Sequence, residues 1–201
     1  GAASGGLPAL TVTVLDLGKA DAILIQVEDK AFLIDTGEYE DGSKVNAVLA
    51  DRGISRLDGL LLTHLDKDHI GGVDKVLRSV EVDRLYQPVG TEDSGDYGEY
   101  VEACREKGIA PVRLTGPETL TLAGAALRLL PAAKGYYEDD NDYSVITEMT
   151  YGERRFLFAA DAEDERLAEY LADGPAAFDF LKVPHHGRES DLSGAFLRAV
   201  R

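Results

Sequence analysis

At 201 residues, with 44% hydrophobic and 29% charged residues, the chain has the composition of a globular protein and the length of one domain. No apolar run approaches the ~20 residues that cross a bilayer, and a single cysteine, Cys104, excludes an intrachain disulfide framework and a cysteine-based zinc ribbon. The net charge of −16 argues against a general nucleic-acid-binding surface, although metal ions and a few local cations can hold phosphates inside a site on an acidic protein.

Residues 1–6, Gly-Ala-Ala-Ser-Gly-Gly, read as a cloning scar or a processed start, and residues 7–201 as a single domain. Three short β-rich runs open it, at 10–15, 22–27 and 31–34, with a tight turn at Asp29-Lys30. A helix follows over 43–51, with Ser43 as N-cap and Gly53 as its stop. Residues 57–62 are continuously apolar, which predicts a strand buried on both faces. Gly71-Gly72 opens a helix to about residue 80, and 82–87 is another strand. After an acidic loop over 90–98, Asp96 is placed to cap a helix over 97–107 that Gly108 ends. Cys104 follows Tyr97, Tyr100 and Val101 at helical spacing, which assigns it to the core. Strands follow at 112–114, 119–122 and 126–130, then a hairpin of 144–149 and 155–159 around Tyr151-Gly152-Glu153. A helix over 163–171, a strand over 180–183 and a helix from 194 close the chain. Such alternation predicts an α/β (α+β) fold of two sheets packed face to face with helices outside.

The heptapeptide Thr63-His64-Leu65-Asp66-Lys67-Asp68-His69 ends the apolar run 57–62 and sets two imidazoles beside two carboxylates. The only other histidines, His185 and His186, also end an apolar run, 178–183. Imidazole nitrogen and carboxylate oxygen are ligands for divalent metals, so the pattern points to a metal-dependent hydrolase. Adjacent Asp68 and His69 cannot share a strand face, so a tight loop must present them. Metal-bound histidines need an acceptor behind them, and Asp16, Asp21 and Asp35 all end or follow strands near that edge. Each acid also has a plainer role: Asp35 before Thr36-Gly37 as a turn former, Asp161 as a cap for the helix 163–171. The four cations within these motifs, Lys19, Lys67, Lys182 and Arg188, invite a phosphate-binding reading set against ordinary surface charge balance for each; Arg188 and Lys67 are the candidates for substrate contact, and Lys182 is not. The run 138–142 reads as a solvated acidic loop that keeps Asp142 open as a ligand, and Tyr136 and Tyr137 as loop packing or a stacking surface.

His64-x-Asp66-x-Asp68-His69 resembles the first metal motif of the metallo-β-lactamase superfamily, in which a histidine usually stands at the Asp66 position. That variant looks like the nuclease-like domain of the ComEC family of competence DNA-uptake proteins. Further matches follow in order: Asp16-Leu17-Gly18-Lys19-Ala20-Asp21-Ala22, Asp35-Thr36-Gly37, Asn141-x-x-Ser144, Phe158-Ala159-Ala160-Asp161 and Lys182-Val183-Pro184-His185-His186-Gly187. The resemblance spans residues 11 to about 190 and implies a four-layer αβ/βα sandwich with two divalent metals, Zn or Mn, at the sheet edges. It implies one metal on His64 and Asp66, the other on Asp68, His69 and His186, and Asp161 as their bridge. His185 is then free to donate a proton to the leaving group, and Asp16, Asp21, Asp35, Thr63 and Asn141 stand behind the ligands. Two departures matter. No histidine stands at Asn141-Asp142, where the superfamily's third motif normally supplies one, and the chain ends soon after His186. An oxygen-rich first site shifts preference from Zn toward Mn or Mg and predicts weaker occupancy.

The function implied is a dinuclear phosphodiesterase or nuclease in which a metal-bridging hydroxide attacks phosphorus in line, with DNA as a possible substrate and no permanent nucleic-acid partner. The resemblance also implies an extracytoplasmic setting. The alternatives are a small-ester hydrolase of phosphorylcholine esterase, lactonase or thioesterase type, and a non-catalytic metal-binding module. A strongly basic groove would favour the nuclease; a closed apolar pocket would favour the small ester.

Overall fold

Strands β1 (Leu10–Val14), β2 (Ile23–Val27) and β3 (Lys30–Ile34) form an antiparallel meander. The computed structural model describes residues 9–90 and 92–201, so the expected scar at 1–6 lies outside the described residues. The β2–β3 turn falls on Glu28-Asp29, one residue earlier than expected, because Glu28 takes the left-handed conformation (φ 55°) and frees Lys30 to pair. Helix α1 (Asp41–Asp51) starts before Ser43: the Asp41 carboxylate accepts the Glu38 N–H and pairs with Lys44 at 2.7 Å, closing the first turn. Gly53 (φ 67°) ends it, as its position predicts.

The run 57–62 divides into β4 (Arg56–Leu57) and β5 (Gly59–Leu61), parting at Asp58, whose carboxylate accepts the Ala31 N–H. Two helices follow: the short α2 (Lys67–Ile70), which the sequence reading did not contain, and α3 (Val73–Ser79). The next strand region is likewise divided, into β6 (Glu81–Val82) and β7 (Leu85–Pro88). Helix α4 (Gly95–Lys107) is capped by Ser94, whose hydroxyl accepts the Tyr97 N–H, and not by Asp96. Then come β8 (Val112–Leu114), β9 (Glu118–Leu122), β10 (Ala125–Leu130), β11 (Ile146–Tyr151), β12 (Arg154–Phe158), α5 (Asp164–Ala172), β13 (Phe180–Lys182) and α6 (Ser193–Ala199).

Six strands make one sheet, ordered β1-β2-β3-β5-β7-β8; five make the other, β13-β12-β11-β10-β9; β4 and β6 pair separately. Alternation along each strand sorts the apolar residues into three layers. Ile23, Ile25, Phe32, Ile34 and Leu61 face Leu127, Leu129, Met149 and Phe158 between the sheets. On the outer side of the first sheet, Leu24, Leu33, Leu60 and Leu62 meet Val45, Leu49, Val76 and Tyr100 of the helices. Ile146, Leu157 and Ala159 of the second sheet pack with Leu167, Tyr170 and Phe196. The result is the expected helix–sheet–sheet–helix sandwich. Each fully buried large side chain contributes about 1.5–3 kcal/mol, so the three layers carry the fold. Cys104 lies in the helical layer, and burial pushes its thiol up to about 11, consistent with packing rather than nucleophilic use. Among the described residues no helix is long and apolar enough to cross a membrane.

The connections that leave β3, β5, β12 and β13 at their carboxyl ends converge with the β1–β2 connection on one edge of the sandwich. This is where the chemistry-bearing residues collect.

Candidate metal centre

Backbone conformation brings the motifs together. Asp35 leaves β3 in the left-handed region (φ 58°) and turns the chain through Thr36-Gly37. The Thr36 N–H donates to the His69 carbonyl at 2.8 Å, and the Asp21 N–H to the Asp68 carbonyl at 3.2 Å, so two loops clasp the first motif. Gly71 and Gly72 make the approach possible. A Cβ on Gly72 would sit 2.4 Å from the Thr36 carbonyl oxygen, and one on Gly71 2.5 Å from the Tyr39 nitrogen. Beyond β13, His185 (φ 44°) and His186 (φ 51°) are both left-handed. Successive residues of a strand point to opposite faces; this strained pair turns both imidazoles toward one carboxylate. Among the described residues, Asp35, Ala160, His185 and His186 are four of six non-glycine residues with positive φ, so strain is concentrated here.

That carboxylate is Asp161, in the connection that follows β12. Its Oδ2 lies 3.0 Å from His186 Nε2, 3.4 Å from His69 Nε2 and 3.8 Å from His185 Nε2. Asp68 Oδ2 stands 3.7 Å from His186 Nε2 and 3.9 Å from His69 Nε2. The His64 ring lies against His69 at a tilt of 54°, with centroids 3.9 Å apart, and its Nε2 is 3.9 Å from Asp66 Oδ2. The outer nitrogens are engaged: His69 Nδ1 donates to Asp35 at 2.8 Å and His185 Nδ1 to Glu163 at 2.5 Å. His186 Nδ1 is 3.6 Å from Asp21 Oδ1. Thr63 Oγ1 donates to Asp35 at 2.7 Å and therefore accepts from His64 Nδ1 at 3.2 Å.

The inward atoms are left without hydrogen bonds. Nε2 of His64, His69 and His186 and Oδ1 of Asp161 are buried with no hydrogen bond. Such orphans are costly and ask for a ligand. A nitrogen or oxygen from each of Asp21, His69, Asp161 and His186 lies within 4.8 Å of the others. This donor set fits a divalent cation.

Charge is distributed to match. Burial alone would lower His69, but the Asp35 and Asp161 carboxylates overcome it and raise the imidazole to about 10. The Asp161 and Asp68 carboxylates facing its Nε2 raise His186 to about 9. Burial holds His64 well below the ordinary histidine range. Against the effect of burial, His186 and His69 hold Asp161 far below the usual carboxylate range. Burial and the neighbouring Asp68 push Asp66 up to about 6.

Several expectations need correction. Asp16 is exposed and lies within electrostatic reach of Lys44. Asn141 turns to Asp139, with both its N–H and Nδ2 donating to Asp139 Oδ1. Asp142 Oδ1 accepts the Glu163 and Arg166 N–H groups at 3.0 Å and caps α5, the role the sequence suggested for Asp161. Lys182 is not a surface residue. Its side chain is 10% exposed and pairs with Asp21 inside the centre. Nothing in the sequence pattern marks Glu163, whereas a lysine closing an apolar run, as Lys182 does, is a usable signal. Lys67 and Arg188 lie at the rim, mostly exposed, each 3.8 Å from a glutamate, Glu38 and Glu163 respectively. Tyr137 is buried and donates to Glu169, while Tyr136 is exposed. A cavity of about 360 Å³ opens beside Asp66, walled by Leu65, Val89 and Tyr143, with Glu92 and Asp140 as further acids and Lys134 as its cation.

Comparison with known proteins agrees with this geometry. Residues 15–201 match the family model of the metallo-beta-lactamase superfamily. The chain is 27% identical to ComE operon protein 3 of Bacillus subtilis, over 94% of this chain and 27% of that protein. It is also 27% identical to Recombination protein 2 of Haemophilus influenzae, over 96% of this chain and 23% of that protein. The chain thus spans about a quarter of the length of these relatives. Among solved structures, the metallo-beta-lactamase SMB-1 superposes with a TM-score of 0.61 at 14% identity, covering 96% of this chain and 84% of that one, a likeness of fold. Carrying the family's fold and a histidine–aspartate centre at its sheet edges, the chain belongs to the metallo-β-lactamase superfamily.

Proposed function

We propose that the protein is a metal-dependent phosphodiesterase, with DNA among its candidate substrates. The observation that carries this reading is the set of buried Nε2 atoms that make no hydrogen bond and gather around Asp161. Asp68, His69 and His186 would hold one divalent ion, His64 and Asp66 a second, and Asp161 would serve both. Zn and Mn are the candidate metals, with Mn suited to the oxygen-rich first set. When bound, the metals supply Lewis acidity and an activated water.

The chain's own residues supply the rest. His185, held by Glu163, delivers a proton from Nε2 to the leaving oxygen. Lys67 and Arg188 steady a phosphate at the rim. Their glutamate contacts are long and exposed, so redirecting them to substrate costs little. The name of one relative, a recombination protein, supports a nucleic-acid substrate.

One observation favours the small-ester reading. The cavity beside Asp66 is lined by apolar groups and carboxylates, not by a basic stripe. A compact substrate with an apolar or cationic portion fits it better than a phosphate backbone.

Hydrolysis of bis(p-nitrophenyl) phosphate and of plasmid DNA decides between them, using metal-stripped protein refilled with Mn or Zn. We expect metal-restored cleavage that His64→Ala and Asp161→Ala each abolish. Silence on both substrates by metal-loaded protein would overturn the phosphodiesterase reading in favour of the small ester or a non-catalytic module.

A further inference from the structure

We propose that Lys182 is a positioning residue of the centre: its ammonium holds the Asp21 carboxylate behind His186, so that Asp21 orients the imidazole instead of ligating a metal. The inference rests on the reading of this cluster as a metal centre.

Lys182 ends β13 with its ammonium inside the site, paired with Asp21 Oδ2, donating to the Ala160 carbonyl at 3.3 Å and 3.6 Å from Asp161 Oδ1. Side-chain exposure is 10% for Lys182 and 8% for Asp21, so neither charge is solvated, and each requires the other. The second oxygen of Asp21 faces His186 Nδ1 at 3.6 Å, while His186 Nε2 points to Asp161 and Asp68. The arrangement repeats on the other histidine of the set. There Thr63 donates to both Asp35 oxygens, and Asp35 accepts from His69 Nδ1. Lys182 does for Asp21 what Thr63 does for Asp35. A carboxylate that is itself pinned fixes the ring plane and tautomer of the histidine it backs.

The competing assignment makes Asp21 a direct ligand, since its oxygen lies within 4.8 Å of the donor atoms of His69, Asp161 and His186. Lys182 would then only balance charge. The two assignments predict opposite signs. A fixed cation beside a cation site weakens metal binding by Coulomb repulsion. Removing one that merely balances charge, and freeing Asp21, should tighten binding. Removing one that positions His186 should loosen it.

The test is calorimetric titration with Mn²⁺ of the stripped wild-type protein, Lys182→Met, Asp21→Asn and the double variant, with circular dichroism melts to establish folding. We expect each single variant to lose about tenfold or more in Mn²⁺ affinity, the usual cost of losing a group behind a ligand. The double variant should bind no more weakly than the weaker single, because both changes break one chain of contacts. Unchanged or tighter binding by folded Lys182→Met overturns the inference. Should Lys182→Met leave Asp21 unpaired and unfold the protein, Lys182→Arg carries the test, since it keeps the charge and changes the reach: a tenfold loss supports the proposal and wild-type affinity overturns it. A wild-type protein that binds no Mn²⁺ overturns the metal-centre reading together with this inference.

Discussion

Asp35 and His69, 34 residues apart in sequence, meet at 2.8 Å through His69 Nδ1, and Asp35 is at the same time held by the backbone and hydroxyl of Thr63. The carboxylate therefore joins β3, β5 and the first motif at one point. Replacing it by an amide, Asp35→Asn, keeps the shape but removes the charge that fixes the imidazole. We expect a 10–100-fold loss of metal affinity, on the order of 1–3 kcal/mol of lost stability, and a retained fold. Equilibrium dialysis with Mn or Zn, beside urea denaturation, measures both. Undiminished metal affinity would sink this role for Asp35.

Asp142 offers the contrasting case. Its carboxylate caps α5 and lies outside the centre, so Asp142→Ala should cost about 1–2 kcal/mol of stability. Metal content, determined by mass spectrometry of the purified variant, should equal that of wild type. A drop in bound metal would return Asp142 to the ligand set.

The response to pH follows from the raised imidazoles. In the metal-free protein His69 is raised to about 10 and His186 to about 9, both above the ordinary 6.5. Groups whose folded value exceeds the unfolded one stabilise the fold fully below the unfolded value and lose that contribution as pH rises through the folded one. The chelated protein should therefore lose stability between pH 6.5 and about 10. Metal binding must release these protons, so Mn affinity should rise from pH 6 to pH 8. Thermal melts in chelator and titrations at each pH provide the check. A melting temperature that stays level up to pH 10 would contradict the charged state assigned to these rings.

Two glycines should respond with opposite signs. Gly72→Ala drives a Cβ to 2.4 Å from the Thr36 carbonyl and 2.7 Å from the Gly42 Cα, which predicts about 1–3 kcal/mol of destabilisation and weaker metal binding. Gly98, inside α4, has nothing within 4 Å of an added Cβ. There Gly98→Ala should stabilise by up to about 1 kcal/mol and leave metal binding unchanged. Paired chemical denaturation curves read both effects.

Strand identity and the packing of two sheets were legible in the sequence because alternation and β-rich runs are local signals. Ile23 and Leu24 already sort onto opposite faces by parity alone. Helix starts were less legible: Ser43 and Asp96 are sound cap residues by type, but Asp41 and Ser94 hold the positions through contacts that composition does not encode. Histidines and neighbouring aspartates announced the centre through their spacing. What stayed hidden were long-range partners. Glu163 finds His185 across 22 residues, and Lys182 finds Asp21 across both sheets. Asn141 and Asp142 misled for the same reason, since their turn and cap bonds depend on where the neighbouring backbone happens to pass.

Each of the four imidazoles meets a protein group at Nδ1 and sends Nε2 inward. The rings are thus set like fixed prongs whose rotational freedom is spent when the chain folds, not when an ion arrives. Three apolar layers elsewhere hold the sandwich together, unlike small metal-folded domains that collapse only around their ion. The stripped protein is therefore a rigid receptor. On the proposed metal-centre reading, one ion would leave and another of different identity would enter the same cage without refolding, so supply would decide occupancy as much as affinity.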